Sequence, residues 1–208
     1  GLMLHRKGHG WHNLAFGISE DPEFQPKPEE IPQEYLDLCA MVNGKRELTL
    51  NSPFLTQLCN SNPKVIAKIA DAVTEYALKN PETDYIHFWL SDHLNNSCEC
   101  EECIKKSCAD NYLNIVNEIT DRFVEKGIKS KIVPLIYLDS ICSPLKTELR
   151  HPECVLLGYA PITRTFANTF PETFRLKEEP RYPLNTFKKP LDIDENLSHL
   201  YAWQQLFD

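Results

Sequence analysis

The chain has 208 residues, 42% of them apolar, and carries 30 acidic against 22 basic side chains for a net charge of −8. That length and apolar content suit one domain with its own core. The acidic balance argues against a nucleic-acid groove, which needs a basic stripe, and no apolar run nears the roughly 20 residues of a membrane span.

Gly1 stands where an initiator Met would be expected and an aromatic run leads to Asp208, so we expect a segment of a longer protein. Residues 20–32 hold four prolines among several acids and read as an extended surface excursion. A short helix is expected over 33–42, stopped by Asn43-Gly44. The clearest helix follows: Asn62 caps it, Pro63 takes its first position, Val65, Ile66, Ile69, Ala70, Val73, Tyr76 and Ala77 share a face, and Asn80-Pro81 ends it. Residues 85–90 form a near-continuous apolar run, the form of a parallel strand covered on both faces. Residues 112–124 return to helical spacing and stop at Gly127. Further strands are expected at 132–138, with Pro134 suggesting a bulge or an edge, and at 155–160. The stretch 161–196 reads as an irregular excursion and 197–207 as a last helix. Helix, strand, helix, strand, strand in this order fits right-handed βαβ units and an α/β fold.

Four of the eight cysteines fall within eleven residues, at Cys98, Cys100, Cys103 and Cys108. The spacing Cys98-x-Cys100-x-x-Cys103 presents three thiols on a short turn, which suits thiolates converging on a soft or borderline cation such as a structural zinc. Cys108, His93 or the distant Cys59 could supply a fourth ligand. An all-sulfur shell leaves no open position for catalysis. Reduced thiols in this number point towards a reducing cytoplasm.

In parallel α/β architectures chemistry sits beyond the C-terminal ends of the strands. Asp92 follows the first buried run and Asp139 the second. Two carboxylates from neighbouring strand ends are what glycoside hydrolysis needs, one to protonate the leaving oxygen and one to activate water or attack. Around them, His9, Trp11 and His12 in the run His5-Arg6-Lys7-Gly8-His9-Gly10-Trp11-His12 suit a sugar better than a metal, because an indole face stacks on a ring and the two glycines disfavour the helix that would align the histidines. His93 and Tyr137 adjoin the two acids, Arg6 in the same run could fork onto a sugar carboxylate, and Arg164, with Tyr159 near the end of the third strand, could line the same face and bind sugar. No Gly-rich phosphate loop or Gly-x-Ser-x-Gly elbow is present.

Several strings occur in order along the chain: Gly8-His9-Gly10-Trp11-His12, Met41-Val42-Asn43-Gly44-Lys45-Arg46, Gln57-Leu58-Cys59-Asn60-Ser61-Asn62-Pro63, Ser91-Asp92 with Cys98-Glu99-Cys100-Glu101-Glu102-Cys103, and the helix segment from Asn114 to Asn117. Together they resemble a bacterial domain-of-unknown-function family that occurs with polysaccharide-degrading modules and is similar to the α-glucuronidase and hexosaminidase barrels. The resemblance runs from about residue 8 to residue 165. It implies a (β/α) barrel and a carbohydrate partner. It makes Cys59 the fourth metal ligand with Cys98, Cys100 and Cys103, and Cys108 the reserve. Asp92 matches the family's strand-end acid, although His93 and Leu94 follow where the family has a more Gly-rich turn. A full barrel takes about 250 residues, so an incomplete TIM barrel is expected here, with an open edge through which copies could self-associate.

Overall fold

The structure, a computed structural model, describes residues 1–161, 169–190 and 192–207. In chain order the elements are β1 (His5–Gly8), α1 (Trp11–Leu14), α2 (Gln33–Leu38), β2 (Met41–Val42), β3 (Lys45–Arg46), α3 (Pro63–Lys79), β4 (Tyr85–Phe88), α4 (Cys108–Lys126), β5 (Lys131–Ile136), β6 (Gly158–Tyr159) and α5 (Ile193–Gln204). Four strands form one sheet in the order β1-β4-β5-β6, every pair parallel, with His5 opposite Tyr85, Ile86 opposite Ile132 and Leu135 opposite Gly158. Spatial order therefore follows chain order, and the fold is mixed α/β as expected.

Side chains alternate across a strand, and here the alternation separates two environments. Ile86, Phe88, Ile132 and Ile136 are fully buried and join one core with Val65, Ile69 and Val73 of α3 and Leu113, Val116 and Ile119 of α4. Tyr85 and His87, on the alternate positions, remain half-exposed.

The helix ends follow from local chemistry. Asn62 accepts from the Lys64 N–H (2.9 Å) beside Pro63, and the α4 capping box pairs Ser107 with Asp110. Gly127 closes α4 with φ 65°, a left-handed conformation that favours glycine. Asp110 also accepts from the Lys146 (2.8 Å) and Thr147 (2.7 Å) N–H groups, so the start of α4 holds the chain beyond β5. Burial works against the Asp110 carboxylate, yet hydrogen bonds from Ser107, Lys146 and Thr147 hold its pKa down at about 2.

Three expectations are corrected. Helix α2 stops at Leu38, and Asn43-Gly44, with φ of 51° and 77°, forms the tight turn of the β2–β3 hairpin instead of ending a helix. Pro134 lies in a strand with partners on both sides, neither at an edge nor in a bulge. The exposed, polar β1 carries no apolar period to reveal it. Residues 169–190 contain no helix or strand, as expected of the excursion, but α5 begins at Ile193, before its expected end. Trp203 anchors α5, its indole N–H donating to Ile141 O (2.9 Å). No helix among the described residues is long and apolar enough to cross a membrane.

Where β4 stops pairing with β5, the Tyr112 hydroxyl of α4 stands between them, donating to Phe88 O and accepting from the Leu135 N–H (3.1 Å). Tyr112→Phe leaves both backbone groups buried and unpaired, so urea unfolding should show a loss of about 1–3 kcal/mol.

Candidate functional site

Cys59, just before α3, and Cys98, Cys100 and Cys103, in the loop between β4 and α4, converge with all four sulfurs within 4.8 Å of one another. Cys59 Sγ lies 3.5 Å from Cys100 Sγ and 3.9 Å from Cys103 Sγ. A tetrahedral ion about 2.3 Å from each sulfur sets S···S edges of about 3.8 Å, so the cluster could hold a metal ion. All eight cysteines are free thiols.

Polar groups surround the sulfurs. Met41 N–H donates to Cys98 Sγ (3.2 Å), Arg46 approaches the same sulfur (3.9 Å), and Ser61 Oγ sits 3.0 Å from Cys103 Sγ. Hydrogen bonds from Cys103 and Cys98 push the Cys59 thiol down, while the same bond to Cys59 pushes Cys103 up. The hairpin is laced to this loop by Glu99 N–H to Met41 O (2.7 Å) and Asn43 N–H to Glu99 Oε2 (2.7 Å). Cys108 is not part of the cluster; its thiol is paired with Ser97 Oγ (3.2 Å) and burial pushes its pKa up to about 11. His93 is not a ligand either.

At the C-terminal ends of β4 and β5 a second group assembles. Asp92, half-exposed, accepts a hydrogen bond from the Tyr137 hydroxyl, and His9 Nε2 lies 3.7 Å from the same carboxylate oxygen. The His9 Nδ1–H donates to Leu90 O (2.6 Å), which aims Nε2 at Asp92. Trp89 packs edge-on against His9 with ring centroids 5.0 Å apart. Burial, and then Asp92, push the Tyr137 pKa well up, so the hydroxyl stays a donor to the carboxylate. The turn carrying His9 depends on two glycines: a Cβ at Gly8 would come 3.2 Å from Trp89, and Gly10 has φ 94°.

Asp139 lies deeper. Its Oδ2 accepts from the Asn95 N–H (2.7 Å), and burial raises its pKa. It thereby ties the loop after β4, which carries Asp92 and His93, to the end of β5. The His93 Nδ1–H donates to the O of its neighbour Leu94 (2.8 Å).

Trp11 and His12 are corrected. Trp11 is 1% exposed, its indole N–H donates to His87 O (2.7 Å), and Tyr76 and Phe88 pack around it, so it belongs to the core and has no face for a sugar. His12 is equally enclosed. Arg164 lies outside the described residues. Trp89 was missed as a site residue because its apolar run reads as fully covered, although its odd-numbered position shares the open face with Tyr85 and His87. Ser61 and Arg46 stand in the strings that carry the resemblance, but nothing in the sequence assigned them to the thiols.

Cys142, Glu179 and His199 also bring a thiol, a carboxylate and an imidazole within 4.8 Å. Glu179 accepts from Ser143 N–H (2.6 Å), Ser143 Oγ (2.7 Å) and His199 Nδ1 (3.1 Å) and forms an ion pair with Arg181 (2.5 Å). The group is a hydrogen-bond hub that fastens residue 179 and α5 to the chain beyond β5.

Comparison with family models, with curated proteins and with solved structures returns no match.

Burial, and then His9 nearby, lower the His12 pKa from 6.5 to about 4. The unfolded chain then binds this proton first as pH falls below about 6.5, so His12 should cost about 3 kcal/mol of stability on approach to pH 4. Urea unfolding at several pH values should show that part of the acid dependence vanishing in His12→Gln.

Proposed function

We propose that this chain is a carbohydrate-active, glycoside-hydrolase-like segment of a (β/α) barrel, acting on or binding a poly- or oligosaccharide, uronic acids among the candidates. The observation that carries the reading is the exposed Asp92 carboxylate beyond the end of β4, held by the Tyr137 hydroxyl and approached by His9 Nε2 at 3.7 Å. An oriented carboxylate beside an imidazole suits acid–base work on a glycosidic oxygen. Trp89 at the same edge is an aromatic surface of the kind that stacks on a sugar ring. Asp139 is the second strand-end acid, and His9, His93 and Tyr137 are the substrate-binding side chains.

The barrel rests on topology. Parallel strands whose spatial order follows chain order, with α3 and α4 packed together, are what one part of a (β/α) barrel contains. A doubly wound sheet reverses its order midway. The resemblance to the domain-of-unknown-function family akin to α-glucuronidase and hexosaminidase barrels points the same way. An incomplete barrel leaves β1 and β6 as edges for self-association.

Zinc is the ion we assign to Cys59, Cys98, Cys100 and Cys103. Four sulfurs within 4.8 Å of one another suit it, and a closed all-thiolate shell makes its role structural. A second reading is a non-catalytic carbohydrate-binding or protein-interaction scaffold stabilised by that zinc. It is favoured by Asp139, whose carboxylate is engaged by the Asn95 N–H.

Two experiments test these assignments. With aryl glycosides and uronic-acid-bearing oligosaccharides as probes, Asp92→Asn should lower turnover by about 10²-fold or more with an unchanged unfolding midpoint. Binding retained with turnover absent in both proteins would select the scaffold, and unchanged turnover would remove Asp92 from the chemistry. Elemental analysis of protein purified without added metal should find about one zinc per chain, lost together with stability in Cys100→Ser; metal-free protein of full stability would overturn the zinc assignment.

A further inference from the structure

The edge strand β1, His5-Arg6-Lys7-Gly8, has no apolar side chain with which to hold itself to the core. Backbone bonds fasten its two ends, Tyr85 N–H donating to Leu4 O (3.0 Å) and Trp89 N–H to Gly8 O (3.1 Å). On the open face a side-chain contact joins the two strands: His5 Nδ1 lies 2.9 Å from His87 Nε2. The ring centroids are 5.2 Å apart, about the N···N distance plus two ring radii, so the nitrogens meet edge to edge. Tyr85 stacks on His5 (4.4 Å between centroids, 19°) and Trp89 stands edge-on to His87 (5.3 Å, 82°), so aromatic neighbours hold both rings in place.

A neutral imidazole has one N–H and one acceptor nitrogen, and a bond between two of them needs one proton between the facing atoms. Neutral rings meet that need. A pair carrying one added proton meets it better, because the bond is then charge-assisted. A second added proton makes both facing nitrogens donors and sets two positive charges side by side. The acids of this edge are engaged elsewhere: Glu82 pairs with Arg6 (3.4 Å), Glu20 with Lys7 (2.6 Å), and Asp84 Oδ2 accepts from the Leu4 N–H (2.7 Å). Lys131 of β5 stands opposite Tyr85, and among the described residues no carboxylate lies within ion-pair distance of either imidazole. His87 Nδ1 is buried without a partner among the described residues, so a charge on that ring is not met from its other side either. Burial, and then His5, accordingly lower the His87 pKa.

We propose that the His5–His87 pair is an acid-released latch, which holds β1 on β4 while the two rings share at most one added proton and lets go when both are charged. The strand leads directly into the Gly8-His9-Gly10 turn that aims His9 at Asp92, so the latch governs how firmly His9 is held there. The unfolded chain protonates His87 at about pH 6.5 and the folded pair does so at lower pH. The latch therefore contributes its full stabilisation above about pH 6.5 and loses it as pH falls through the lowered value. It is independent of the carbohydrate reading.

Amide hydrogen exchange of the whole chain, followed by NMR at pH 7 and pH 5 and referred at each pH to the unfolded chain, tests the latch without any substrate. The carboxylates at this edge have ordinary values of about 4 and change little in that window. The Tyr85 and Trp89 amides, which donate to β1, should lose about three- to tenfold of their protection at pH 5, the worth of one hydrogen bond. Those of Leu156 and Ala160, which donate to Ile132 O (2.9 Å) and Ile136 O (3.1 Å) on the far side of the sheet, should keep theirs. In His5→Gln, a change at an exposed position, the loss at Tyr85 and Trp89 should disappear, and the His87 ring should titrate at higher pH than in the parent chain. Equal loss at all four amides would mean general acid destabilisation, with His12 as a source. No loss at any would mean a hydrogen-bonded pair that does not switch, and loss that persists in His5→Gln, or an unmoved His87 midpoint, would place the titration elsewhere. Each of these results overturns the proposal, and none bears on whether Asp92 acts on a sugar.

Discussion

Burial of one face of the sheet governs the rest of this molecule. Ile86, Phe88, Ile132 and Ile136 can leave water only by packing against α3 and α4, and each such side chain contributes about 1.5–3 kcal/mol when fully buried. Because side chains alternate across a strand, committing these positions to the helices assigns Tyr85, His87 and Trp89 to the opposite face. The open face is therefore aromatic and imidazole-rich as a consequence of how the core is satisfied. The Tyr112 hydroxyl completes the arrangement: it repairs the backbone where β4 and β5 part and lets the two chains diverge into separate loops.

Those divergent loops would be costly to order without cross-ties, and polar groups supply them. Asp110 gathers the chain beyond β5, Asp139 fastens the loop after β4, and Glu179 fastens residue 179 and α5. Asp110 and Glu179 each accept several donors, which satisfies buried N–H groups and stabilises their charge. The thiol cluster does the same with sulfur, drawing together the segment before α3, the β2–β3 hairpin and the loop before α4. An ion there would add its binding energy directly to folding. Rigid strand ends are the precondition for holding Asp92, Tyr137 and His9 in register.

Legibility in the sequence tracked how local each determinant was. The bounds of α3 and the end of α4 could be read from Asn62-Pro63, Asn80-Pro81 and Gly127 because caps and stops act within one turn, whereas the start of α4 at Cys108 lies four residues before the periodic run that pointed to it. The apolar runs of β4 and β5 were visible because the face against α3 and α4 must exclude water, but the expected covering of residues 85–90 on both faces is not met: Tyr85, His87 and Trp89 stay half-exposed. Strand β1 was hidden because its sequence, His5-Arg6-Lys7-Gly8, is polar, and only pairing with β4 makes it a strand. Asn43-Gly44 was ambiguous in itself: two left-handed residues can end a helix or turn a hairpin, and contact of the hairpin with the cysteine loop decides for the latter.

For the site, spacing alone pointed to Cys98, Cys100 and Cys103, and a resemblance pointed to Cys59; only the fold shows that Cys59 Sγ arrives within 3.9 Å of Cys100 and Cys103 and that Cys108 does not join them. Asp92 and Asp139 could be placed at strand ends from the sequence, but their different environments, one half-exposed beside Tyr137 and His9, the other deeper and tied to Asn95, depend on which loops cover them. Trp11 is the clearest case. Its chemistry permits sugar stacking or core packing equally, and the helix α3 lying over it assigns it to the core. Residue types and local spacing thus determined the α/β class, the main helices and the three-thiol turn, since these follow from short-range geometry. Which side chains meet across distant segments, and which of them face water, was decided by tertiary packing, because burial is a property of the whole sheet and its covering and not of any one segment.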